Sequence, residues 1–161
     1  MRRYGAAAAL LLALFAARGE VPHAHGVARL DVAIEGRRVS MELAAPLEDV
    51  LGFERRPAND KERTAFEAAS SYLKSGRGLV PGAAANCRVA DGAVAIEQRG
   101  PGHFELVARL AYDCKEPHEL KEIDAALLGQ YKRLKRLDVR VVGPKGQAAA
   151  RATPAKSTFP L

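Results

Sequence analysis

Apolar and polar positions alternate along three stretches of this chain, and each stretch divides into two runs joined by a short polar turn. Over residues 26–45, Ala28, Leu30, Val32 and Ile34 alternate with Arg29, Asp31 and Ala33. Val39, Met41 and Leu43 then alternate with Ser40 and Glu42, with Glu35-Gly36 as the turn between them. Such a period of two predicts a β-hairpin with one buried and one solvated face. A second pair follows: residues 88–98 read as one or two short strands broken at Asp91-Gly92. Residues 103–113 then place Phe104, Leu106, Ala108, Leu110 and Tyr112 on one face, after the turn Arg99-Gly100-Pro101-Gly102. A third hairpin, residues 137–142 and 147–153, folds around Gly143-Pro144-Lys145-Gly146.

Between the hairpins the period changes. Ala65, Phe66, Ala69, Tyr72 and Leu73 recur at helical spacing, Asn59 or Asp60 supplies a cap, and Gly76 and Gly78 end the helix near residue 75. Residues 46–57 are irregular, with one helical turn at residues 47–51, and residues 79–86 read as a loop. A second helix is predicted over residues 117–131. Pro117 suits its first turn, Leu120, Ile123, Leu127 and Leu128 form its apolar stripe, and Glu119, Glu122 and Asp124 suit the positive end of its dipole. Residues 154–161 read as an extended tail. Hairpin, helix, hairpin, helix, hairpin predicts an α+β domain: an antiparallel sheet built from three β-hairpins, with two main helices packed on it.

The first residues do not belong to that fold. Arg2 and Arg3 precede an Ala/Leu/Phe run over residues 6–17. A dozen apolar residues fit a signal peptide and fall short of the about 20 that span a bilayer. Small residues at Ala17 and Gly19 favour cleavage before Glu20, with Ala16 and Ala17 as alternative sites. Residues 1–19 are thus read as a cleaved signal and residues 20–161 as a single domain with a short extended tail, expected in the periplasm. Export changes the charge argument. The chain carries 25 Lys+Arg and 19 Asp+Glu for a net +6. Without Arg2, Arg3 and Arg18 the count becomes 22 against 19, so the net charge falls to +3. Lys132, Arg133, Lys135 and Arg136 form a basic cluster, but Tyr131 is the one aromatic beside it, so no nucleic-acid partner is expected. No other segment is apolar enough to cross a membrane.

Two cysteines in an exported chain, Cys87 and Cys114, favour a structural disulfide; two free thiols or a shared metal are the alternatives. Four histidines carry the candidate chemistry: His23, His25, His103 and His118. His23 and His25, two apart at the start of a strand, present imidazoles to one side. Two imidazoles make half of a zinc site, which usually has three or four protein ligands. His103 opens a strand and is the candidate third ligand, with a carboxylate or water completing the set. Imidazole ligands must be neutral, so such a site weakens below about pH 6. Glu48, Asp49 and Glu54 flank Leu51-Gly52-Phe53 and read as a solvated acidic patch, with a cleft lining as the other option. Serine sits in no nucleophile-elbow pattern, and there is neither a phosphate loop nor His-Glu-x-x-His. An enzyme is not expected.

Several motifs recur together in a known family. They are His23-Ala24-His25-Gly26-Val27-Ala28, Ala45-Pro46 with Leu51-Gly52-Phe53-Glu54, the strands of Cys87 and Cys114, and Val139-Arg140-Val141-Val142-Gly143-Pro144-Lys145-Gly146-Gln147. On these the chain resembles the ZrgA-like family of exported zinc-binding, zinc-uptake accessory proteins. The resemblance covers nearly all of the mature chain. It implies a periplasmic protein that binds zinc and assists a zinc ABC importer or its binding protein, without membrane insertion after signal removal. This chain is histidine-poor for that family. The histidine-rich insert that members often carry between the cysteine strands is reduced to residues 99–102, with His103 beside it. The histidine expected after Gly-Phe-Glu is Arg55, followed by Arg56, and a cation there repels a metal ion. The alternative reading is a binding or structural domain of the same fold that has lost tight metal binding and works through residues 46–57 with Phe53.

Overall fold

A computed structural model describes residues 24–161; the expected export signal and cleavage site, and His23, lie outside the described residues. The alternating runs form strands. β1 (Val27–Glu35) and β2 (Arg38–Pro46) pair antiparallel from Glu35↔Arg38 to Arg29↔Ala44. β4 (Cys87–Gly100) and β5 (His103–Cys114) form the second hairpin, and β7 (Arg136–Gly143) and β8 (Gly146–Ala152) the third. The step at Asp91-Gly92 is a bulge inside a continuous β4, between Val89 and Asp91. Extra residues at a bulge bend a strand without ending its ladder.

These six strands make one sheet in the order β4-β5-β2-β1-β7-β8. One face is core: Leu30, Val32, Met41, Leu43, Leu106, Leu110, Leu137 and Val139 are buried. The opposite face carries ion pairs across the strands. Arg140 bonds Asp31 at 2.6 and 2.8 Å, Arg109 bonds Glu42 at 2.8 Å, and Arg29 bonds the buried Glu105 at 2.9 Å. The apolar and polar halves of each alternating run thus separate onto the two faces, as the pattern predicts. α1 (Leu47–Leu51) follows β2 directly, and α2 (Asp60–Lys74) packs Ala69 and Leu73 into the core. The Asn59 side chain accepts from the Glu62 N–H at 2.9 Å and caps α2.

The α+β expectation is wrong, and so is the purely antiparallel sheet. The described residues are mostly β, with nine strands in two sheets, and α2 is the one helix longer than six residues among them. The helix predicted over residues 117–131 is instead a 3₁₀ turn (Pro117–Glu119), strand β6 (Glu122–Asp124) and the single turn α3 (Leu127–Gln130). β6 is held on both sides, by β3 (Val80–Pro81) and by β9 (Thr158–Pro160). Its backbone groups are satisfied by strands about 40 residues away, so no helix is needed to satisfy them. The apolar stripe is real: Leu120, Ile123, Leu127 and Leu128 are buried. It is spent on a strand and a turn. The C-terminal tail is extended but also structural, since Phe159 is fully buried.

The parallel contact is β1 with β7, running from Val27↔Arg136 to Ala33↔Val142. It joins the first and third hairpins through their first strands. Nothing local in either hairpin specifies which strand its outer edge will meet. Cys87 and Cys114 are direct cross-strand neighbours and form a disulfide with Cα atoms 3.9 Å apart. No helix among the described residues is long and apolar enough to cross a membrane.

Candidate metal centre

β1 and β5 both flank β2 and run antiparallel to it, so both begin at the end of the sheet where β2 stops. His103 is the first residue of β5, and His25 stands two residues before β1. β2 leaves the sheet at this same end and becomes α1, which carries Glu48; Glu54 follows three residues beyond α1. The topology therefore delivers two imidazoles and two carboxylates to one end of the sheet, from three separate parts of the sequence.

Each segment is held by its own contacts. Residues 24–27 form a turn closed by Val27 N–H donating to the Ala24 carbonyl at 3.1 Å. Gly26 sits in it at φ 79°, a conformation that side chains disfavour. Its N–H donates to Asp49 Oδ2 at 2.5 Å, and its carbonyl accepts from Lys135 and Arg136 at the start of β7. α1 ends at Gly52, whose N–H donates to the Glu48 carbonyl at 2.8 Å; Arg133 Nη1 donates to the same oxygen at 3.1 Å. Residues 53–58 are tied to α2. The Arg55 guanidinium lies 5.4 Å from the centre of the Phe53 ring and donates to both Glu62 oxygens, at 2.5 and 2.7 Å. Glu62 also accepts from the Ala58 N–H at 2.7 Å. The Arg55 hydrogen bonds are the largest cause, and the Ala58 N–H the next, of a Glu62 pKa lowered to about 2. The same pair raises the Arg55 pKa. Arg55, expected to repel a metal, thus has its charge engaged by Glu62.

The ligand atoms of His25, Glu48 and Glu54 all lie within 4.8 Å of one another. His25 Nδ1 is 3.9 Å from Glu48 Oε2, and His103 Nδ1 is 3.3 Å from Glu54 Oε1. A tetrahedral zinc with bonds near 2.1 Å needs its ligand atoms about 3.4 Å apart. Closing the group around an ion therefore takes about an ångström of movement. The side chains can supply it, since His25 is 65% and Glu48 47% exposed. Imidazole nitrogen with carboxylate oxygen is a donor set that suits zinc. Two carboxylates also bring the negative charge that a divalent ion needs. Three such ligands leave a fourth position open. His103 approaches through Glu54: with Nδ1 protonated it donates to the carboxylate and orients it, as outer-shell partners of metal ligands do.

Of the residues singled out in the sequence, His25 joins Glu48 and Glu54 in the group, while His103 contacts it through Glu54. His23 lies outside the described residues. His118 is exposed on the 3₁₀ turn beside Glu116 and Glu119 and does not join the group. Glu48 and Glu54 were legible only as an acidic patch. Their usable signal is positional: six residues apart across a Gly helix stop, directly after the strand that separates the two histidines.

A mostly β frame thus carries a histidine and carboxylate group at one end of its six-stranded sheet. The chain matches the model of the ZrgA family zinc uptake protein over residues 22–161, and it belongs to that family. Membership places the protein in zinc uptake. A comparison with curated proteins finds no match.

Proposed function

We propose that this protein is an exported, periplasmic accessory of zinc uptake that carries zinc at His25, Glu48 and Glu54. The observation that carries this reading is the convergence of those three ligand atoms within 4.8 Å, with His103 bonded to Glu54. Zinc is the cargo. His25 and the two carboxylates bind it, His103 fixes the Glu54 carboxylate or adds a fourth nitrogen, and the open side faces solvent. Exposure of the ligands fits a site that must also release its ion. The acceptor in this reading is a zinc ABC importer or its binding protein, and the accessory itself performs no catalysis. The basic n-region and short apolar run of residues 2–17 support export, and the Cys87–Cys114 disulfide suits an oxidising compartment.

The competing reading keeps the fold without tight metal binding, and the high exposure of His25 favours it. Zinc-dependent melting separates the two. An ion that binds only the folded state raises Tm by mass action, by about 2.7 kcal/mol of stability at a hundredfold excess over Kd. A Tm that does not move with zinc contradicts the carrier reading.

A further inference from the structure

Two charged side chains are buried among the described residues, Asp49 and Glu105. Glu105 has Arg29 and Arg99 as partners. Asp49 has a backbone amide: its Oδ2 accepts from Gly26 N–H at 2.5 Å. A buried carboxylate is costly, so one that spends itself on a single amide calls for a reason. Position supplies it. Asp49 follows the ligand Glu48 on α1, and Gly26 follows the ligand His25 in the turn before β1. One hydrogen bond therefore joins the neighbour of one ligand to the neighbour of the other.

The Gly26 carbonyl is fixed separately by Lys135 and Arg136 N–H, at 2.8 and 3.0 Å. Holding the amide as well fixes the peptide between His25 and Gly26, and with it the direction in which the His25 side chain leaves the backbone. We infer that Asp49 is a positioning residue of the zinc site: its carboxylate latches the 24–27 turn to α1 and so sets His25 against Glu48 and Glu54. The inference rests on the zinc reading above. Asp49 need not touch the ion; it acts through the turn.

The test compares the full chain with Asp49→Ala and Asp49→Asn by zinc titration and by amide exchange at Gly26 in metal-free protein. Asp49→Ala removes the acceptor and weakens zinc binding by about 10–100-fold, the range for lost outer-shell partners. Asp49→Asn removes the charge but keeps an oxygen that can accept, so it restores most of the affinity and the slow Gly26 exchange. Unchanged affinity in folded Asp49→Ala overturns the proposal. So does Asp49→Asn binding as weakly as Asp49→Ala, because charge and not the hydrogen bond would then be the cause. If Asp49→Ala does not fold, Gly26→Ala disturbs the same turn with Asp49 intact. Its Cβ would sit 3.3 Å from the Arg133 carbonyl, on a backbone at φ 79°. Zinc affinity equal to the parent in that variant contradicts the latch. A parent that binds no zinc removes the zinc reading, whereas Gly26 exchange that ignores Asp49→Ala removes the latch alone.

Discussion

The β4–β5 hairpin is fastened at both ends, by opposite means. At its open end Cys87 and Cys114 face each other across the strands and are joined covalently, with Cys114 fully buried. Two residues away Tyr112 is buried, and its hydroxyl donates to the Leu79 carbonyl at 2.5 Å. Burial pushes the Tyr112 pKa up to about 12. At the turn end His103 is half exposed and reaches Glu54 across 3.3 Å through side chains that can rotate. One end is closed by a covalent bond and a buried hydroxyl. The other is wet and adjustable. A structural site keeps its ligands locked, whereas a site that loads and unloads an ion needs ligands that close by an ångström and reopen. The frame is fastened covalently where no ligand is proposed and held by solvent-accessible side chains where the proposed ligands stand.

The largest effect expected from separating the two ends is on stability. Replacing both cysteines by alanine should lower unfolding free energy by about 3–4 kcal/mol, because the bond closes a loop of 27 residues. Denaturant unfolding reads this. Zinc affinity of the folded variant should stay at the parent value, and a matching loss of affinity would show that the ends are coupled. Next comes Glu54→Ala, which removes one proposed ligand and a partner of His103. It should cost about 10–100-fold in zinc affinity, equal to about 1.4–2.7 kcal/mol. Its Tm should hardly move, since an exposed polar contact is worth below about 1 kcal/mol. A Tm loss as large as that of the disulfide variant would erase the contrast.

Tyr112→Phe belongs to the disulfide end and should destabilise by about 1–3 kcal/mol, because it leaves the buried Leu79 carbonyl without its donor. Unchanged Tm would mean that water replaces the hydroxyl. The smallest effect is on the loop behind Glu54. The folded Glu62 pKa is depressed to about 2 from an ordinary 4.5, chiefly by Arg55. A depressed carboxylate stabilises the fold above its unfolded pKa and loses that contribution as pH falls through the folded value. The Arg55–Glu62 clamp should therefore hold at pH 5 and release between about pH 4.5 and 2. The amide shift of Ala58, whose N–H bonds Glu62, should follow that window in the parent and lose that step in Glu62→Gln.

The hairpins and the contacts between distant segments differ in what their residues disclose beforehand. The hairpins are readable because alternation, Gly turns and the Asn59 cap are all local signals, and each specifies structure within a few residues. β6 is not, because Ile123 becomes a strand residue only when Val80–Pro81 and Thr158–Pro160 arrive on either side. The parallel seam between β1 and β7 is hidden for the same reason. At the site, His25 and His103 could be chosen by residue type alone, since histidine is scarce here. Glu48 and Glu54 could not, because carboxylates are common on surfaces and only the exit of β2 into α1 gives these two a shared location. Asp49 was further out of reach: beside Glu48 it reads as part of a solvated acidic patch, and nothing in its residue type marks it as buried.

The central claim is that the adjustable end binds zinc through His25 and the two carboxylates. Isothermal titration of zinc into the folded protein and into His25→Ala tests it most directly. The account predicts one saturable site in the parent and at least about a tenfold weaker one in the variant, with Tm in the absence of metal unchanged. Equal affinity in the two proteins would contradict it.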